Sequence, residues 1–115
     1  MNTDKPPINY TTCYGQLSIY EGRSIGNFDK CWYCGVDCKT TADHFWPKSL
    51  GGRLKVRACA NCNREKKGLT PNGWAKYLKG QRDKFEKTGF KHLVIKYDRM
   101  ITATESLWER VKWSI

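Results

Sequence analysis

No run of 18 apolar residues occurs in the chain, so no segment reads as a helix that crosses a bilayer. The opening "MNTDKPPINYTTCYG" has neither a charged n-region followed by an apolar stretch nor a cleavage site, so the expectation is a soluble, intracellular protein. Internal repeats and low-complexity segments are missing too. The spacings of a helix-turn-helix and of a zinc-finger recognition helix do not occur, which takes away the usual means of reading a base sequence and leaves shape or backbone recognition. Acid is scarce in one region: residues 48–96 hold 3 of the 11 Asp and Glu against 14 of the 21 Lys and Arg.

That region therefore carries +11, while residues 1–47 carry −1 and 97–115 carry zero, and the whole excess of the +10 chain lies in the middle. Such concentration favours a polyanion, because lysine and arginine release counterions condensed on phosphates, and nucleic acid is the leading partner. A solvated lysine-rich surface that keeps the protein soluble explains the same charge, and an acidic membrane surface ranks third. A length of 115 residues suits one domain, 1–115. With 39% hydrophobic and 13% aromatic residues the core is adequate but not generous, which is where a metal staple helps.

Six cysteines are present, and four form the pairs "CWYC" (Cys31, Cys34) and "CANC" (Cys59, Cys62), 24 residues apart. Two such knuckles clamping one ion are the usual frame of a tetrathiolate zinc site. A disulfide framework needs an oxidising compartment, and a redox Cys-x-x-Cys comes singly at a strand-to-helix turn. Cys13 and Cys38 read as free thiols with no assigned role. Between and beside the knuckles lie Asp43, His44 and Asn63. Taken one at a time these read as an Asx-turn residue, a structural imidazole and a helix N-cap.

Taken together, "CWYCG…DHFWPKSLGG…CANCNREKKG" resembles the HNH endonuclease family, in the subgroup whose ββα-metal centre is held by a Cys₄ zinc site, and "LKVRACANCN" is similar to its recombination endonuclease VII branch. The resemblance covers about residues 29–70. It implies an α+β fold: a ββα-metal core (29–70) stapled by zinc, preceded by an N-terminal extension (1–28) and followed by additional C-terminal helices (71–115). The implied activity is metal-dependent hydrolysis of phosphodiester bonds in double-stranded DNA with little sequence specificity, in the cytoplasm of a bacterium or of a phage-infected host. Asp43 and Asn63 would hold one Mg²⁺ or Mn²⁺, His44 would be the general base, and Lys48, Arg57, Arg64, Lys66 and Lys67 would contact phosphates. Hard oxygen donors suit those ions, and an imidazole titrating near neutrality suits proton abstraction. Adjacent strand residues point to opposite faces, so Trp46-Pro47 and Gly51-Gly52 are expected to bend the chain until Asp43 and His44 face one ion. Leu54 stands where many HNH proteins have a middle Asn. The alternative reading is a non-catalytic, zinc-stabilised module that binds nucleic acid or protein on an HNH scaffold; the oligomeric state stays open.

Further elements are expected as follows. A helix starts at Asn63 and stops at Gly68. Thr70-Pro71 caps a second helix to about Lys87, apolar at Trp74, Tyr77, Leu78 and Phe85, with Lys76, Lys79, Arg82, Lys84 and Lys87 opposite. "FKHLVIKY" (90–97) reads as a strand by its β-branched content. Thr102 and Glu105 read as a capping box opening a last helix, with Leu107, Trp108, Val111 and Ile115 recurring at helical spacing.

Overall fold

A computed structural model describes residues 24–112. The expectations for residues 1–23, including Cys13 and the N-terminal extension up to that point, lie outside them, as does Ile115. The fold is α+β. A three-stranded sheet of order β1-β3-β2 (β1 Ser24–Ile25, β2 Thr41–His44, β3 Lys55–Ala58) is followed by three helices, α1 (Ala60–Lys66), α2 (Pro71–Thr88) and α3 (Lys91–Val111). β2 and β3 run antiparallel, with Asp43 opposite Val56 and His44 opposite Lys55. β1 lies parallel to β3.

The β2–β3 connection is built by its small residues. Pro47 leads into a 3₁₀ turn over Lys48–Leu50, Gly51 ends it at φ 86°, and the Gly52 amide returns to the Pro47 carbonyl at 3.0 Å. A Cβ on Gly52 would lie 1.7 Å from the Trp46 carbonyl oxygen, so only glycine closes this loop. The turn shapes the hairpin as expected, but it closes beyond His44. His44 is the last residue of β2, and Asp43 before it is the buried one of the pair. Leu54 is a buried core residue whose carbonyl accepts the Phe45 amide at 2.9 Å, so backbone pairing braces the point where many HNH proteins have Asn.

α1 begins earlier than its sequence suggests. Cys59 is the N-cap, its sulfur accepting the Cys62 amide at 3.4 Å, and Asn63 lies inside the helix rather than at its start. α2 follows its signals closely: the Thr70 hydroxyl accepts the Gly73 amide at 3.1 Å, Pro71 occupies the first turn, and Gly89 at φ 83° ends the helix.

The expected strand at 90–97 is instead the start of α3, and Thr102 and Glu105 sit inside that helix rather than opening it. The reason lies in the longer period. Tyr97, Met100, Thr104, Leu107 and Val111 are buried at alternating steps of three and four, one continuous stripe against α2, and this outweighs the strand preference of Val94 and Ile95. Across the seam Arg82 binds Asp98 at 2.8 Å and Lys79 binds Glu105 at 2.8 Å. Two of the expected basic-face residues of α2 thus act as interhelical ties, while Lys76, Lys84 and Lys87 remain exposed.

Trp74 joins the two halves: fully buried, it meets Tyr33 edge-on at 5.6 Å and stacks on Tyr77 at 5.8 Å. Glu65 of α1 accepts the hydroxyls of both Tyr77 (2.8 Å) and Tyr97 (2.7 Å), tying α1 to α2 and α3. No helix among the described residues is long and apolar enough to cross a membrane.

Candidate functional site

The two cysteine pairs converge. The first knuckle is a turn in which the Gly35 amide returns to the Cys31 carbonyl at 3.1 Å, with Gly35 at φ 76°. The second is the start of α1. Their four Sγ atoms lie within 4.8 Å of one another, and Cys34 and Cys59 are 3.8 Å apart. A tetrahedron with metal–sulfur bonds of about 2.3 Å has edges of about 3.8 Å, so the cluster is compatible with a structural zinc ion. Hydrogen bonding from Cys62 holds Cys31 down at about 4, and the same bond, with burial, pushes Cys62 up. Burial raises Cys34 to about 11. One favoured thiolate crowded by three more sulfurs is a charge pattern that a dication stabilises. Cys38 is half-buried and outside the cluster.

Both knuckles lead to one carboxylate. Tyr33, inside the first, donates its hydroxyl to Asp43 Oδ2 at 3.0 Å, and Lys66, one turn beyond Cys62 on α1, places its ammonium 3.6 Å from the same oxygen. Lys66 also donates to the His44 backbone carbonyl at 2.9 Å. Asp43 is 7% exposed and Lys66 0%, so this is a buried ion pair rather than a surface one. Burial pushes the Asp43 carboxyl up and the Lys66 ammonium down, each partly offset by the other's charge. Burial, reinforced by the Asp43 charge, keeps the Tyr33 phenol protonated as a donor. Asp43 is thus a strand residue facing inward, not a turn residue.

Lys66 is therefore not one of the phosphate contacts: it is enclosed beside Asp43 because the last turn of α1 packs across β2. Arg57 is withdrawn as well. Half-buried, it donates through Nε to Thr40 Oγ1 at 3.1 Å and through Nη2 to the Thr40 carbonyl, and its guanidinium lies 4.4 Å from the Phe28 ring centroid. It clasps β3 to the segment before β2. Lys48, Arg64 and Lys67 are exposed, although Arg64 donates to Asn61 Oδ1 at 2.6 Å.

Asn63 directs its amide nitrogen to Thr41 Oγ1 at 2.7 Å. Thr41 and Asp43 lie two apart on β2 and share a face, so Asn63 and Asp43 flank the same β2–α1 seam while bonding to different partners. His44 is half-buried. Burial lowers its pKa below the usual 6.5, and the charges of Lys55, Lys48 and Lys66 lower it further. The arrangement keeps an imidazole neutral inside a positive field. Tyr33, Glu65 and the inward turn of Lys66 had no signal in the sequence, since each depends on packing between distant segments.

No protein-family model matches the chain, and no curated protein or solved structure matches it significantly.

Proposed function

We propose that the protein is a zinc-stapled nuclease of HNH type that hydrolyses phosphodiester bonds in DNA. The observation that carries this reading is His44: an imidazole at the end of β2 whose pKa is lowered by burial and by the charges of Lys55, Lys48 and Lys66, on a strand paired with β3, which leads into the second cysteine pair of the four-cysteine cluster. Exposed Lys48 attracts a phosphate towards the ring, and burial, with the charges of Lys55, Lys48 and Lys66, favours its unprotonated form. In that state His44 takes a proton from water as its oxygen bonds to phosphorus; the bond to the leaving oxygen breaks, and that oxygen regains a proton from solvent. Exposed Lys48 and Lys67 position the flanking backbone. Asp43 and Asn63 would hold a Mg²⁺ or Mn²⁺ ion through hard oxygen donors, and such an ion would supply Lewis-acid polarisation of the phosphate.

Plasmid DNA incubated with the protein and Mg²⁺ or Mn²⁺, with EDTA controls, tests the reading. His44→Ala is expected to lose on the order of 10²–10⁴-fold in rate; equal cleavage by parent and variant would sink it. The second reading, a nucleic-acid-binding module without turnover, is favoured by the commitment of Asp43 to Tyr33 and Lys66. Binding that weakens steeply with salt, with no nicking under either metal, selects it.

A further inference from the structure

A fully enclosed lysine is an expensive arrangement that the reaction proposed above does not use. Lys66 closes the last turn of α1, and the residue after it, Lys67, holds φ 54°, the one positive φ outside glycine among the described residues. The helix thus ends on a backbone conformation that lysine adopts reluctantly, with Lys66 directed into the seam. There the ammonium has two acceptors, the His44 carbonyl and Asp43 Oδ2. Asn63 lies one turn earlier on α1, so the two oxygen donors and the ammonium share a single seam.

We propose that Lys66 is the built-in counter-cation of Asp43, and that it and a divalent ion are mutually exclusive occupants of that carboxylate. The physical reason is charge. A dication on the buried Asp43 meets a fully buried ammonium already within 3.6 Å of the same oxygen, and like charges brought together at a buried carboxylate are poorly screened. One must leave. Lys66 is the last residue of α1, and the two residues after it, Lys67 and Gly68, are exposed. Lys66 is thereby a positioning residue with two settings. Without the ion it satisfies Asp43 and holds the His44 carbonyl; with the ion it turns to solvent and lets go of both. The proposal rests on Asp43 being a metal ligand but not on turnover.

Two measurements on the zinc-loaded chain test it, with Mn²⁺ as the probe. The first leaves the sequence intact: amine modification read by mass spectrometry should find Lys66 protected without Mn²⁺ and modified when Mn²⁺ is saturating, with Lys76 as an exposed control. Lys66 remaining protected while Mn²⁺ is bound would overturn the exchange. The second is Mn²⁺ affinity from electron paramagnetic resonance. Lys66→Met, which keeps the length and removes the charge, is expected to bind on the order of tenfold more tightly than the parent, and the gain should vanish in Lys66→Met/Asp43→Asn. Equal or weaker binding by a Lys66→Met protein that keeps its zinc and its circular dichroism refutes the proposal, as does Mn²⁺ binding to neither protein. Tighter binding by Lys66→Met with no plasmid cleavage would leave this inference standing and remove the nuclease.

Discussion

The segment from Ser24 to Lys66 and the α2–α3 hairpin reach order by different means. In the first, no strand exceeds four residues and the helix has seven, so hydrogen-bonded structure alone would not persist. It is organised around four sulfurs and one buried carboxylate, with Tyr33, Asp43 and Lys66 as cross-braces. The hairpin has 18- and 21-residue helices, an apolar stripe along the seam and ion pairs at its rim. Polar and metal-binding chemistry gathers in the segment with the least regular structure. Polar cross-links specify geometry there; apolar packing supplies the platform beneath.

For a four-cysteine cluster loaded with zinc, the harshest way to break this contrast is chelation. Structural zinc binding is coupled to folding at about 10–16 kcal/mol apparent. Chelation is therefore expected to abolish amide protection in β2, β3 and α1 while α2 and α3 keep part of their helical circular dichroism. Loss of all helicity in the same step would show that the hairpin has no stability of its own. Trp74→Ala attacks the shared wall instead: removing a fully buried indole should cost about 3–5 kcal/mol in denaturant unfolding. Because Trp74 touches both Tyr33 and Tyr77, both regions should weaken together.

Cutting the rim should do little. Arg82 is bound to Asp98 and Glu86 but part-exposed, so Arg82→Ala is expected to shift the denaturant midpoint only slightly, and less in high salt. The mildest probe is pH. His44 has a depressed pKa in the folded protein, so its contribution to stability is present above the unfolded-state pKa near 6.5 and is lost as pH falls through the lower folded value. Its imidazole resonances should titrate with a midpoint below 6.5, and cleavage should rise with pH through that same midpoint.

The two regions also differ in how far the sequence reveals them. Cys31, Cys34, Cys59 and Cys62 are legible because a knuckle is a local object of four residues, and Thr70-Pro71 is legible because a cap is equally local. The small helix after the second knuckle is legible too, though it begins at Ala60 rather than Asn63, whereas no local signal announces the pairing of β2 with β3. The start of α3 was hidden: Leu93, Val94 and Ile95 look like a strand within eight residues, and the helical stripe emerges only when Tyr97 is read on to Val111. Lys66 was hidden more deeply, since nothing in "NREKKG" distinguishes a lysine facing solvent from one facing Asp43. That choice is made where α1 meets β2, and the commitment of Arg57 to Thr40 and Phe28 is made where β3 meets the segment before β2.

One contact spans the boundary at the far end of the β2–β3 loop. Trp46 and Trp108 stack with centroids 5.8 Å apart and planes 12° from parallel. Two indoles this close couple their transition dipoles, so the pair should give a split band in the ultraviolet circular dichroism spectrum that neither ring gives alone. The molecule thus carries an optical gauge of whether the loop after His44 rests on the long helix, readable without a label while DNA or Mn²⁺ is added.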